Sequence, residues 1–273
     1  MNINRQDDFR KMSLAKHIIL LALTLCTVSA SGQSYHGTTG LLHVPSAEMD
    51  SAGTFRGGGM FLDKRFTPAQ LNRNGEKYNT FTYFIGVSMF RWVEISYAAA
   101  LLYYTHKKDD STSAPGYYNE DRRMNVKVNP LYEGRWWPAI ALGMDDIGRF
   151  KRIKTGVNGN NYFQNIYAVA TKHFNIHGHV LGAHVGYRYY PSDVNSDRRG
   201  VAGGISYTPW LGEKLQGNPR AWIQRPRVVV EWDGAGVNVG VDALFWRHLF
   251  VQAMLVHGQG FTGGLSYHYR MKY

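Results

Sequence analysis

The chain has 273 residues, 31 Lys and Arg against 20 Asp and Glu, a formal charge of +11 and one cysteine, so no internal disulfide or multi-thiolate metal centre is available to it. Its mean hydropathy is −0.34, and nothing after residue 30 approaches the about 20 consecutive apolar residues of a membrane-spanning helix. That excludes a helical membrane protein but not a β-barrel, whose alternating faces cancel in any hydropathy average.

The first segment, 1–32, reads as a cleavable export signal. Lys11 and Lys16 precede an apolar run from Ile18 to Leu25, and Val28-Ser29-Ala30 offers the small residues of a cleavage site. Met12 is an alternative start, and the single cysteine, Cys26, lies within this segment after the bulky Leu25, which disfavours a lipid attachment there. Four basic and two acidic residues precede Ser31, so the exported chain keeps +9 of the +11. Export makes nucleic acid an unsuitable partner for this charge; lipopolysaccharide phosphates or an anionic polymer suit it better.

Residues 33–52 form a second segment without strand periodicity. Pro45 fixes its own φ and pushes Val44 into an extended conformation, so Gly40–Val44 is expected to be a short extended piece that sits in a lumen or pins the N-terminus.

From residue 53 to 273 the pattern is period two, the mark of strands with one apolar face. Phe81, Tyr83, Ile85 and Val87 oppose Thr80, Thr82, Gly86 and Ser88; Val93, Ile95 and Tyr97 oppose Glu94 and Ser96. Met124, Val126 and Val128 oppose Asn125, Lys127 and Asn129; Leu181, Ala183, Val185, Tyr187 and Tyr189 oppose Gly182, His184, Gly186 and Arg188. Val237, Val239, Val241 and Phe245 oppose Asn238, Gly240 and Asp242, while 162–174 has no clear phase. The last strand alternates Leu265, Tyr267, Tyr269, Met271 and Tyr273 with Ser266, His268, Arg270 and Lys272 up to the final residue. It resembles the C-terminal strand by which bacterial outer-membrane proteins are handed to the barrel-assembly machinery, and it would close a barrel seam.

Long polar stretches at Asp63–Tyr78, Thr105–Glu120, Asp146–Asn161 and Pro191–Gly200 alternate with short links at Phe90-Arg91, Pro130–Trp136 and around Asn175-Ile176. The exception is Pro209–Pro226, which is expected to form a small plug or helix. Aromatic residues number 18 Tyr, 13 Phe and 7 Trp, and pairs such as Tyr103-Tyr104, Trp136-Trp137 and Tyr189-Tyr190 fall at strand ends, where an interfacial girdle belongs. The expected fold is all-β: a transmembrane, antiparallel, up-and-down barrel of about 12 strands. The polar faces place Arg56, Glu94, Lys127, Arg188, Arg227, Asp242 and Arg270 in its lumen, a slightly basic set that would favour an anionic glycan.

Two motifs carry a family resemblance. Gly40-Leu41-Leu42-His43-Val44-Pro45-Ser46-Ala47-Glu48-Met49, followed by Gly53-Thr54-Phe55, resembles the opening of YjbH-type outer-membrane proteins. Arg227-Val228-Val229-Val230-Glu231-Trp232-Asp233-Gly234 resembles a later strand and turn of that family. The resemblance implies a compact single-barrel protein of a Gram-negative outer membrane that takes part in exopolysaccharide biosynthesis or export as a channel or accessory component. The residues alone make Asp233-Gly234 a tight turn and Glu231 and Asp233 lumen charges paired with Arg227 or a neighbour.

Catalysis, a metal and a cofactor are not expected. His177 and His179 share a strand face, but His184 has the opposite parity and no acidic residue is near in sequence to complete a site with them or with His173. Asp145-Asp146 reads as a strand end, and the glycine clusters at 57–59, 203–204 and 263–264 lie inside strands and are not phosphate loops. Ser206, or Ser266 with His268, has no spacing that selects it as a nucleophile. The alternatives are a porin-like or structural barrel and a barrel enzyme acting on lipid or glycan.

Overall fold

A computed structural model of the chain describes residues 31–271 apart from 68–76, 105–110, 148–161, 192, 212–214, 216–217 and 219. Residues 1–30 of the expected signal segment, with Met12 and Cys26, and Lys272 and Tyr273 lie outside the described residues; its last two residues, Ser31 and Gly32, are described.

Twelve strands close into one antiparallel barrel: β1 (Thr54–Leu62), β2 (Thr80–Phe90), β3 (Val93–Tyr104), β4 (Gly116–Leu131), β5 (Ala139–Asp145), β6 (Asn165–Ile176), β7 (His179–Tyr189), β8 (Gly200–Thr208), β9 (Ile223–Trp232), β10 (Val237–Phe245), β11 (Leu249–Val256) and β12 (Gly260–Arg270). Each strand pairs with its chain neighbour and β12 pairs with β1, from Thr54↔Arg270 to Phe61↔Gly263, so no edge is left unpaired. Glycine makes this seam possible: a Cβ on Gly58 would lie 2.5 Å from the Ser266 Cβ, and one on Gly264 would lie 2.7 Å from the Met60 Cα.

The outward face is largely apolar, with Glu120 and Arg122 towards one end of β4 as charged exceptions. Ile85, Val185, Val201, Val241 and Leu265 are each more than half exposed, an arrangement that water alone would penalise and an apolar surrounding would not. Strand β6 shows why its phase is unreadable. Tyr167 and Val169 turn inward, so both faces are apolar. The Tyr167 ring covers Gly143, its cross-strand partner on β5, where a Cβ would meet the ring at 2.1 Å.

The start of β1 and the end of β12 lie at one rim. The opposite rim carries the long connections 63–79, 105–115, 146–164 and 190–199, together with the short turns 233–236 and 257–259. Links at the rim of the termini are 91–92, 132–138, 177–178 and 246–248, displaced by one or two residues from the sequence reading. His177-Gly178, Trp246-Arg247 and His257-Gly258 all have positive φ at both positions, the backbone of the turn that matches strand twist. Six of the seven tryptophans, all but Trp232, sit in or beside the links at the rim of the termini. The described residues of the 209–222 connection do not form the expected plug: Trp210, Leu211 and Trp222 are exposed at the rim, and Trp210 and Leu211 take helical backbone, the other form expected. The lumen is filled instead by the segment before β1.

Candidate functional site

Residues 31–50 enter the barrel before β1 begins, and nearly all of them are buried. The segment folds on itself through bridges Gln33↔Thr39 and Gly40↔Pro45. It turns at Gly37, whose φ of +86° and contact with the Phe84 ring leave no room for a side chain. Tyr35, Leu41, Leu42 and Val44 pack against Met60, Leu62, Phe84, Ala98 and Leu102 of the wall. Phe84 is an inward aromatic on a strand face otherwise made of Thr, Gly and Ser.

Backbone amides and carbonyls inside a barrel need partners. Charged wall residues supply them at three anchor points. On β3, Glu94 accepts from Thr39 N (2.9 Å), Thr39 Oγ1 (3.0 Å) and Asp50 N (3.1 Å), while Arg56 of β1 bridges Asp50 (2.7 Å) and Glu94 (3.3 Å). Lys127 of β4 donates to the carbonyls of Thr39 (2.8 Å), Glu48 (2.7 Å) and Ser46 (3.3 Å), and lies 3.4 Å from Glu94.

The second anchor is Glu231 of β9. Its carboxylate accepts from three successive amides, Leu42 N (3.1 Å), His43 N (3.2 Å) and Val44 N (3.3 Å), a concave anion-binding nest of backbone N–H groups. His43 Nδ1 adds a contact of 2.6 Å. Burial lowers the pKa of His43 and outweighs the pull of Glu231, and in either protonation state Nδ1–H is the donor to the carboxylate. The ring stacks on Phe66 at 3.4 Å, and Arg198 covers the other side of Phe66 at 4.5 Å. Of the partners expected for Glu231, Arg227 or a neighbour, the structure gives a neighbour: Asn238 of β10 donates to it (3.1 Å), the rest of the carboxylate serves the N-terminal segment, and Arg188 reaches the His43 carbonyl beside it (3.0 Å).

The third anchor is Arg227. It is held by Asp242 (Nε to Oδ1 2.9 Å, Nη2 to Oδ2 2.8 Å) and lies 3.3 Å from Glu48 of the inserted segment. Asn129 donates to the Ala47 carbonyl (3.0 Å), and Ala47 N donates to Thr171 Oγ1 (2.9 Å).

The motif residues thus separate by role. Gly40, Leu41, Pro45, Ser46, Ala47, Glu48 and Met49 belong to the inserted segment, and Glu231 is its receptor in the wall. Trp232 points outward and half exposed. Asp233 and Gly234 (φ +92°) make the β9–β10 turn, where Asp233 Oδ1 accepts from Ala235 N (2.9 Å) and Gly236 N (2.8 Å). Burial alone would raise the Asp233 carboxyl, but Arg198, His43 and these two amides bring it down to about 2. Asp145 ends β5 and Asp146 follows with φ 55°, as a strand end should.

Of the expected lumen charges, Arg56, Glu94, Lys127, Arg188, Arg227 and Asp242 are buried inside, whereas Arg270 is only partly buried near the rim. Asp121, Arg123, Asp145 and Glu231 join them. Arg123, over the Phe163 ring at 4.3 Å, was readable from its shared parity with Asn125 and Lys127. Among the described strand residues the buried inward set is then five cations and five carboxylates, to which the inserted segment adds the carboxylates of Glu48 and Asp50, so the basic tilt expected of the lumen is absent and the excess charge lies elsewhere on the chain.

The histidines also sort differently from the sequence reading. His177 is in a turn, and His179 hydrogen-bonds Tyr207 (2.7 Å). His173 and His184 meet inside, their ring centroids 5.9 Å apart, and acidic partners are present after all: Glu48 lies 3.2 Å from His173 Nε2, and Glu133 2.7 Å from its Nδ1. Burial would raise the Glu133 carboxyl, but Lys172 and His173 hold it below the usual range. Ser206 pairs with His184 (3.0 Å) and Ser266 with His268 (2.8 Å). Ser266 and His268 are fully buried, and the other nitrogen of His184 faces the Thr171 hydroxyl and not a carboxylate.

No curated protein sequence matches this chain. Among solved structures, the Salmonella typhi outer membrane phospholipase (OMPLA) dimer with bound calcium aligns at a TM-score of 0.33 and 9% identity, covering 80% of this chain and 90% of that one. The family model described as exopolysaccharide biosynthesis protein YbjH matches residues 32–195, which include the inserted segment and its anchors Arg56, Glu94 and Lys127 but not Glu231. With well over half of its residues matched, the chain belongs to the YjbH family of exopolysaccharide biosynthesis proteins.

Proposed function

We propose that the chain is a Gram-negative outer-membrane barrel that assists exopolysaccharide biosynthesis or export as a closed accessory component, without chemistry of its own. The observation that carries this reading is the occupied lumen: the path a polymer would take is filled by residues 31–50, bonded to β1, β3, β4, β6 and β9. The apolar outer belt and the tryptophan-rich rim suit a lipid bilayer, with lipopolysaccharide around the long connections. Strand β12 would be the segment read by the barrel-assembly machinery after an export signal is removed. An anionic exopolysaccharide would meet the basic excess outside the lumen, since the lumen itself holds no excess of cations.

The test pairs genetics with a lock. A chain carrying Ala47→Cys and Thr171→Cys ties the inserted segment to β6 when oxidised, because the two residues already touch. The proposal expects the oxidised chain to restore polymer export to a deletion strain as well as the wild type does. Export restored only by the reduced form would identify a gated channel, and export unaffected by the deletion itself would overturn any part in the process.

A further inference from the structure

We propose that Glu48, His173 and His184 form a site for a divalent transition metal, zinc by its ligand chemistry, which fastens the inserted segment to the wall. One candidate ligand atom from each of the three lies within 4.8 Å of the others. Two imidazoles and a carboxylate are a donor set that suits zinc, leaving a fourth position for water.

Two further observations point to a ligand. First, His173 stands between two carboxylates, with Nδ1 2.7 Å from Glu133 and Nε2 3.2 Å from Glu48. Both contacts require positive charge at the ring, from a second proton or from a metal between Nε2 and Glu48. Glu133 is fixed by Lys172 Nζ (2.6 Å) and His173 N (2.8 Å), so it orients the ring as an outer carboxylate orients a metal-bound histidine. Second, Gly182 on β7 faces the cluster, and a Cβ there would stand 2.9 Å from His184 Nε2 and 3.1 Å from His173 Cδ2. The absent side chain leaves space between the two rings.

The competing charge is Arg227, 3.3 Å from Glu48. Its Nη1 donates to both Glu48 oxygens (Oε1 3.3 Å, Oε2 3.4 Å), but its Nε and Nη2 are held by Asp242 at shorter range, so a metal would compete with Arg227 for Oε1, the oxygen facing His173, while Ser46 Oγ donates to Oε2 (3.1 Å). The two ring nitrogens of His184 hydrogen-bond the hydroxyls of Ser206 (3.0 Å) and Thr171 (3.1 Å), which rotate to suit either nitrogen. With its side chain 31% exposed, His173 gives the ion a way in.

The experiment uses the full chain purified in detergent, stripped with chelator and titrated with zinc ions. One zinc per chain is expected. His173→Gln, His184→Gln and Glu48→Gln should each weaken binding more than about tenfold, and Glu133→Gln by about 10–100-fold, as outer-sphere partners do. Gly182→Ala should block binding with every ligand in place, whereas His177→Gln with His179→Gln should change nothing. Heat-modifiable mobility confirms that each variant is folded. X-ray absorption on the wild type gives a reading independent of any variant, with imidazole nitrogen expected at about 2.0–2.1 Å. A folded wild type without stoichiometric zinc, an absorption spectrum lacking imidazole, or binding that survives in folded His173→Gln and His184→Gln chains would overturn the site and leave His173 an imidazolium between two carboxylates.

Discussion

Glu231 illustrates how one side chain decides the position of a distant segment. Its carboxylate collects amides from residues 42, 43 and 44, nearly 190 positions away in sequence. Glu231→Ala would leave those donors buried without an acceptor at about 1–3 kcal/mol each. The expected loss is at least about 3 kcal/mol, read as early protease cleavage within 31–50 while the barrel keeps its heat-modifiable mobility. Asp233, two residues on, makes a pH-dependent contribution. Its folded pKa of about 2 lies below the ordinary 3.8, so its stabilisation of roughly 2 kcal/mol is complete above pH 4 and fades as pH falls towards 2. Denaturant unfolding of Asp233→Asn should therefore differ from wild type at pH 7 and converge with it at pH 2. Sequence parity was enough to place Arg56, Glu94, Lys127 and Asp242 inside. It could not name the partner of Glu231, because a nest of amides has no side-chain signature.

At the scale of elements, legibility depended on whether the inward face was polar. Strands β7 and β10 alternate cleanly because only one face is apolar, whereas β6 buries Tyr167 and Val169 over Gly143 and loses its phase. Pro45 predicts an extended Gly40–Val44, but the structure corrects this: the chain bends through 41–44, with Leu41 N donating to the Val44 carbonyl (2.9 Å), so that three amides converge on Glu231, and its place in the lumen is set by the wall charges that satisfy its backbone. Those charges give the segment a second, testable role. Removing residues 32–50 strips Glu94, Lys127, Arg227 and Glu231 of partners but leaves all twelve strands, so water should replace the segment and the barrel should conduct. Planar-bilayer recordings should show steady ion current for the deletion and almost none for wild type. With five inward cations and five carboxylates the current should discriminate weakly between cations and anions. A silent deletion barrel would mean that the wall alone blocks the lumen.

For the whole molecule, closure is the decisive property, because a barrel gains its stability against lipid only when every backbone group of the sheet is paired. The seam is shared between the chain's two ends. Deleting Leu265–Tyr273 removes six of the eight β1–β12 register pairs but only three of the eight between β11 and β12. The loss therefore falls on the seam and not on a hairpin. In the bilayer proposed for this barrel, two bare edges would face lipid, a cost of several kcal/mol for each unsatisfied group. His268 and Ser266, fully buried inside beside Arg56, would go with them. A local defect would lower the yield in proportion to the missing contacts. An open sheet instead fails as a unit, so the truncated chain should be absent from the outer-membrane fraction and show no mobility difference between heated and unheated samples. The same chain with Tyr267→Ala alone keeps every seam hydrogen bond and should still insert. Recovery of the truncated chain in a folded, heat-modifiable form would show that β1 and β11 close the barrel without β12.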